Sequence, residues 1–146
     1  MTSYLLDTNV ISEPSRARPD HGVVAWLDDQ NEHTLFLSAF TFAEIRKGIT
    51  KLSASDRRDR LEQWLSALRL RFSQRILPIG DNVLDRWGIL TGTAEARGRK
   101  VPGIDALFAA TALCHDLILV TRNTKDIAGT GVQVLNPWAL WPDDSG

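Results

Sequence analysis

The sequence predicts an α/β domain: a central parallel sheet of about five short strands, flanked by helices. Two observations carry the expectation. Short apolar runs alternate with stretches whose apolar residues recur at helical spacing, the pattern of a parallel sheet covered on both faces. The length of 146 residues is that of one ordinary domain, enough to bury a core without disulfides or structural metals. The reading is therefore a single domain over 1–146, with 139–146 expected as a flexible tail.

The strands are expected at Tyr4 to Asp7, Thr34 to Ser38, Arg75 to Ile79, Leu117 to Thr121 and Val132 to Leu135. Leu61, Trp64, Leu65, Leu68 and Phe72 recur at three-and-four spacing along one helix face, and Val83, Leu84, Trp87 and Leu90 along another. Phe42 to Gly48 reads as a helix following the second strand, and Pro102-Gly103 opens a helix of small residues. The Trp-rich end, Asn136 to Trp141, reads as aromatic packing over a core, with a partner surface as the alternative.

Composition excludes several classes. Hydrophobic residues at 43% and charged residues at 24% are soluble usage, and no segment approaches the roughly 20 apolar residues that span a bilayer. Arg16 and Arg18 follow the first apolar run instead of preceding it, unlike a signal peptide, so a cytoplasmic protein is expected. The lone Cys114 reads as a small buried hydrophobe. With a net charge of −1, any anionic partner must be met by local patches. Gly129-Thr130-Gly131 has no third glycine and opens no helix, so dinucleotide binding is not indicated.

Chemistry points to four carboxylates. Asp7 ends the first strand, where open α/β sheets place their sites. Glu44 lies in the helix after strand two, Asp105 in the first turn of the small-residue helix, and Asp126 just beyond the strand Leu117 to Thr121. Each has a plain alternative: a turn residue for Asp7 and Asp126, a helix cap for Asp105, a surface pair with Lys47 or Lys51 for Glu44. Together they are expected at one edge of the sheet, where mutual repulsion calls for a cation. Carboxylate, hydroxyl and amide oxygens suit a hard ion such as magnesium or manganese, and His21, His33 and His115 lack metal-ligand spacing.

Four segments, Leu5-Leu6-Asp7-Thr8-Asn9-Val10-Ile11-Ser12, Ala43-Glu44-Ile45-Arg46-Lys47-Gly48, Asp105-Ala106-Leu107-Phe108-Ala109-Ala110-Thr111-Ala112-Leu113 and Leu119-Val120-Thr121-Arg122-Asn123-Thr124-Lys125-Asp126, resemble the signatures of PIN-domain ribonucleases, most closely VapC-type toxins. The resemblance runs from Tyr4 to about Trp138. It implies a single PIN-like α/β domain and a magnesium-dependent endoribonuclease, with Asp7, Glu44 and Asp105 as catalytic metal ligands and Asp126 as a variable fourth. Thr121 and Asn123 match positions that support the fourth acid and the metal waters, and Thr8 and Asn9 those that fix the first acid's loop. One departure is visible: Ile127 stands where an aromatic residue often follows the fourth acid. The resemblance further implies a small antitoxin with a DNA-binding domain, and self-pairing into a homodimer.

An acidic pocket repels phosphates, so RNA must be met from its rim. Arg46 and Lys47 beside Glu44, then Arg97, Arg99 and Lys100, are the candidates, while Arg57, Arg58 and Arg60 read first as the solvated face of a helix. Two other functions compete. An aspartyl-nucleophile phosphatase would use Asp7 covalently but wants a second acid where Asn9 stands. A catalytically weak PIN-like domain would only bind RNA or protein, yet all four acids are present.

Overall fold

The computed structural model describes residues 1–140. Five parallel strands, β1 (Tyr4–Leu6), β2 (Leu35–Ser38), β3 (Ile76–Leu77), β4 (Ile118–Val120) and β5 (Val134–Leu135), form one sheet in the order β3-β2-β1-β4-β5. Six helices connect them: α1 (Thr8–Ser12), α2 (His21–Asp29), α3 (Ala39–Thr50), α4 (Asp56–Arg71), α5 (Asp81–Ala96) and α6 (Gly103–Cys114). This is the α/β class that the sequence predicts, with each strand shorter by a residue or more than its apolar run, since the flanking residues are consumed in caps and turns.

Period two along β1 sends Leu5 and Leu6 to opposite sides of the sheet. Leu6 joins Val10, Trp26, Leu35, Phe42, Ile45, Leu65 and Phe72 under α1 to α4. Leu5 joins Leu90, Ala106, Phe108, Ala109 and Leu119 under α5 and α6. The alanines of α6 let that helix lie close on the strands, which puts its first turn at the sheet's carboxyl edge.

The second helix face departs from expectation. Val83 and Leu90 are buried, but Leu84 is 50% and Trp87 38% exposed, because α5 meets the core along a narrow stripe and the Trp87 indole donates to the Gly103 carbonyl at its margin. Cys114, expected as a buried hydrophobe, is only half-buried at the end of α6, with its thiol 3.4 Å from the Asn82 carbonyl. Trp138 packs against the first core cluster, as the aromatic reading of the chain end requires, whereas Trp141 and the rest of the expected tail from 141 onward lie outside the described residues. No helix among the described residues is long and apolar enough to cross a membrane.

Arg75 fastens the edge strand. Its guanidinium donates to the carbonyls of Glu32, Leu35 and Arg71 and to the Glu32 carboxylate, while lying 4.4 Å over the Phe72 ring. Arg71 also donates to Glu32, and the two arginines hold that carboxyl down at about 2. Arg75→Met leaves three backbone carbonyls without this donor and the Glu32 carboxylate with Arg71 alone, and is expected to cost about 2 kcal/mol, read as a lowered midpoint in thermal unfolding with no change in the number of phases.

Candidate metal centre

The sheet runs from β1 toward β2 and β3 on one side and toward β4 and β5 on the other, so strand order reverses at the β1/β4 pair. Helices depart in different directions there, and a crevice opens at the carboxyl ends. The Asp7 backbone N–H still pairs with the Val120 carbonyl, so this residue leaves the sheet at the crevice floor.

Asp7 is 8% exposed. Burial drives its carboxyl above the ordinary range, opposed by hydrogen bonds from the Thr121 hydroxyl and from the backbone N–H groups of Thr8 and Asn9. Thr121, itself buried one residue past β4, donates to Asp7 Oδ2 at 2.8 Å and accepts the Asn123 N–H at 3.1 Å. One hydroxyl thus ties the first acid to the turn that carries the fourth.

Glu44 projects from the middle of α3, a helix whose start is capped by Ser38 at the end of β2. Its carboxylate accepts the Thr8 hydroxyl at 2.6 Å, and that hydroxyl shares a further hydrogen bond with buried Thr41 at 3.0 Å. The Glu44 carboxyl is also raised, by burial first and then by the charges of Asp7 and Asp105, with Lys47 pulling the other way. Asp105, at the third position of α6, does not cap that helix, whose cap is Pro102. Burial and then the charges of Asp7 and Asp126 raise it, and a hydrogen bond from Asn123 acts against them.

The four acids predicted from sequence are therefore electrostatically coupled across one crevice: Asp7 with Glu44, Asp7 with Asp105, Glu44 with Asp105, and Asp105 with Asp126. Asp126 is exposed, on the turn after β4. Beneath it Ile127 is buried in the second core cluster, so an aliphatic side chain anchors that turn. The turn is also held from behind: Arg99 donates to the Ala128 carbonyl at 2.7 Å and lies against Gly129, whose φ of +84° favours glycine.

Among the described residues, no three carboxylate, imidazole or thiol groups stand close enough to enclose an ion by themselves. The donor set nevertheless fits a hard divalent cation: oxygen ligands only, three carboxyls raised by burial, two of them also by neighbouring negative charge, and hydroxyls orienting two of the three. Magnesium keeps several waters and needs only one or two protein carboxylates.

The expected rim cations divide. Arg46 is paired with Glu62 at 2.6 Å, Arg58 donates to the Leu52 carbonyl, and Arg99 is occupied at Ala128. Lys47 lines a recess beside Glu44, and Arg57, Arg60, Arg97 and Lys100 are exposed. Sequence reasoning passed over Thr41, which stands one helical turn before Glu44, the spacing that would have found it.

The PIN domain family model matches residues 4–130. The chain belongs to the PIN domain family. Within this family it is similar to Toxin FitB of Neisseria gonorrhoeae, 40% identical over 92% of this chain and 97% of the relative. It is likewise similar to VapC ribonuclease Y4jK of Sinorhizobium fredii, 37% identical over 92% and 96%. A solved structure described as FitAB bound to an IR36 DNA fragment contains a chain that superposes with a TM-score of 0.90 at 37% identity, over 94% of this chain and 97% of that one. The acids of the crevice all lie within the PIN match.

Removing the Thr121 hydroxyl without changing side-chain shape tests this centre. Thr121→Val is expected to weaken Mn2+ affinity about 10- to 100-fold, read by electron paramagnetic resonance titration, with an unchanged far-ultraviolet circular dichroism spectrum.

Proposed function

We propose that this PIN domain is a magnesium-dependent endoribonuclease, the toxin of a two-component module, with manganese as a substitute ion. The observation that carries the reading is the coupling of Asp7, Glu44 and Asp105 in one crevice, where burial and repulsion leave carboxylates in need of a cation. The names of the relatives, a toxin and a VapC ribonuclease, support the substrate class and the role.

Asp7, Glu44 and Asp105 would hold the ion, with Asp126 behind them as a fourth ligand, direct or through water. When bound, magnesium supplies a Lewis acid for the scissile phosphate and lowers the pKa of a coordinated water. The chain's own residues prepare that chemistry. The Thr121 hydroxyl orients Asp7, and with the N–H groups of Thr8 and Asn9 it works against the cost of burying that carboxylate. Thr8, the residue after Asp7, holds the Glu44 carboxylate by its hydroxyl. Asn123 lowers the cost of charging Asp105, so the turn after β4 serves the third acid as well as carrying the fourth. With Asn9 where a phosphatase would want its second acid, and Asp7 enclosed by donors, covalent use of Asp7 is disfavoured.

The remaining parts follow the relatives. A small DNA-binding antitoxin is proposed as partner, supported by the FitAB chain solved on DNA. A homodimer is proposed as well, supported by the exposed Leu84 and Trp87 on α5 and Ile104 on α6, apolar surface that a second copy would cover. The proposed location is the cytoplasm.

Purified protein incubated with single-stranded RNA and magnesium is expected to produce internal cuts that EDTA abolishes. Asp7→Asn and Asp105→Asn are each expected to slow cleavage roughly 100-fold or more, as loss of charge stabilisation at a reacting phosphate does. Cutting indifferent to EDTA, or equal in the variants, would retire the proposal.

A further inference from the structure

Beside the acids, the carboxyl edge opens into two recesses on the α1 and α4 side. The first, about 310 Å3 in volume, is lined by Asn9, Ser12, Glu13, Arg16, Arg122 and Trp138. It begins two residues after Asp7 and one after Thr121, so it adjoins the crevice. The Arg122 guanidinium lies over the Trp138 indole, 5.2 Å from the ring centre. Glu13 is buried but answered, since its carboxylate accepts from Arg16 at 3.2 Å and from the Asp20 N–H at 3.0 Å.

The second recess, about 910 Å3, runs between the segment Ser15 to Arg18 and the face of α4. Arg16, Arg18, Arg57 and Arg60 line it together with Leu61 and Trp64, and its lining contains no acidic side chain. Arg16 lines both recesses and so stands where they meet. Arg18, Arg57 and Arg60 have no ion pair among the described residues, whereas Arg46, Arg71 and Arg75 elsewhere are paired with glutamates. In a chain of net charge −1 this is a concentrated and largely unneutralised cationic surface that starts at the acid site.

We infer that the two recesses form one track for single-stranded RNA, gripping phosphates along Arg18, Arg57 and Arg60, passing Arg16, which Glu13 holds in place, and stacking an unpaired base at the Arg122–Trp138 platform next to the cleavage point. The substrate class rests on the ribonuclease reading above. The chemistry of the track supports it independently. Guanidinium forks match phosphate oxygens. Aromatic and guanidinium planes stack bases that have left a helix, which a duplex does not offer. An acidic polypeptide would match the charge but would leave the platform unused. The track also explains how a strand is delivered to a crevice whose own charge repels it.

Binding of a fluorescently labelled, unstructured 12-nucleotide RNA to the full chain, measured by anisotropy in EDTA across a salt series, tests the track without scoring cleavage. Arg57→Gln with Arg60→Gln is expected to weaken binding and to flatten the slope of log affinity against log salt by about 1.4, for two lost phosphate contacts on a single strand. Arg69→Gln with Arg86→Gln removes the same charge outside both recesses and is expected to leave the slope unchanged. Arg122→Ala, an exposed position, is expected to weaken binding about fivefold or more through the lost stacking. Equal losses from the two double variants would overturn the inference, as would a poly-glutamate peptide binding more tightly than the RNA. Track-dependent RNA binding by a chain that never cleaves RNA would confirm the track and sink only the ribonuclease reading.

Discussion

A buried carboxylate has to be satisfied by hydrogen bonds or neutralised by a cation, and Asp7 is the place where this fold meets that requirement. Thr121 and the N–H groups at the start of α1 satisfy part of it, and burial still leaves the acid raised. Glu44 and Asp105 then arrive from two other helices and add like charge to a site already short of solvation. Such a constellation costs the free protein stability, a pattern met where function constrains residues more than packing does. The parallel sheet makes it unavoidable: strands that run the same way deliver their following residues to the same edge, and reversal of order at β1/β4 opens space for them.

The rest of the molecule is arranged around keeping that edge in place. Leu5 and Leu6, on either side of β1, anchor Asp7 to both cores at once. The alanine face of α6 brings Asp105 close, and Ile127 with the Arg99 contact to Ala128 braces the turn bearing Asp126 from the far side. Arg99 is therefore better understood through the position of that turn than through direct attraction for phosphates.

Much of this was legible in the sequence because it depends on local pattern. Short apolar runs ending in Asp7 and Thr121 give strands whose next residues emerge together, and Pro102-Gly103 before a run of small residues places Asp105 in a first turn. What was not legible depends on long-range geometry. Nothing near Arg46 in the sequence reveals its pairing with Glu62, sixteen positions away on α4. Leu84 and Trp87 fit a helical stripe, but the width of the stripe that a core covers is set by the neighbouring helix. Arg16 and Arg18 lie far along the chain from Arg57 and Arg60, and Asn9 from Trp138, and only the fold lines these residues up.

The central claim is that the crevice acids are destabilising when unneutralised and that a hard divalent ion relieves them. Three carboxyls are raised in the folded state, so they bind protons more tightly there than when unfolded, and an ion that requires them ionised must lose to protons as pH falls. The most direct measurement is the difference in thermal midpoint with and without magnesium, followed from pH 8 down to about pH 5, above the range in which the arginine-held Glu32 titrates. The account predicts a stabilisation that is largest at the alkaline end and fades toward the acid end. A magnesium effect that is absent throughout, or the same at every pH, would contradict it.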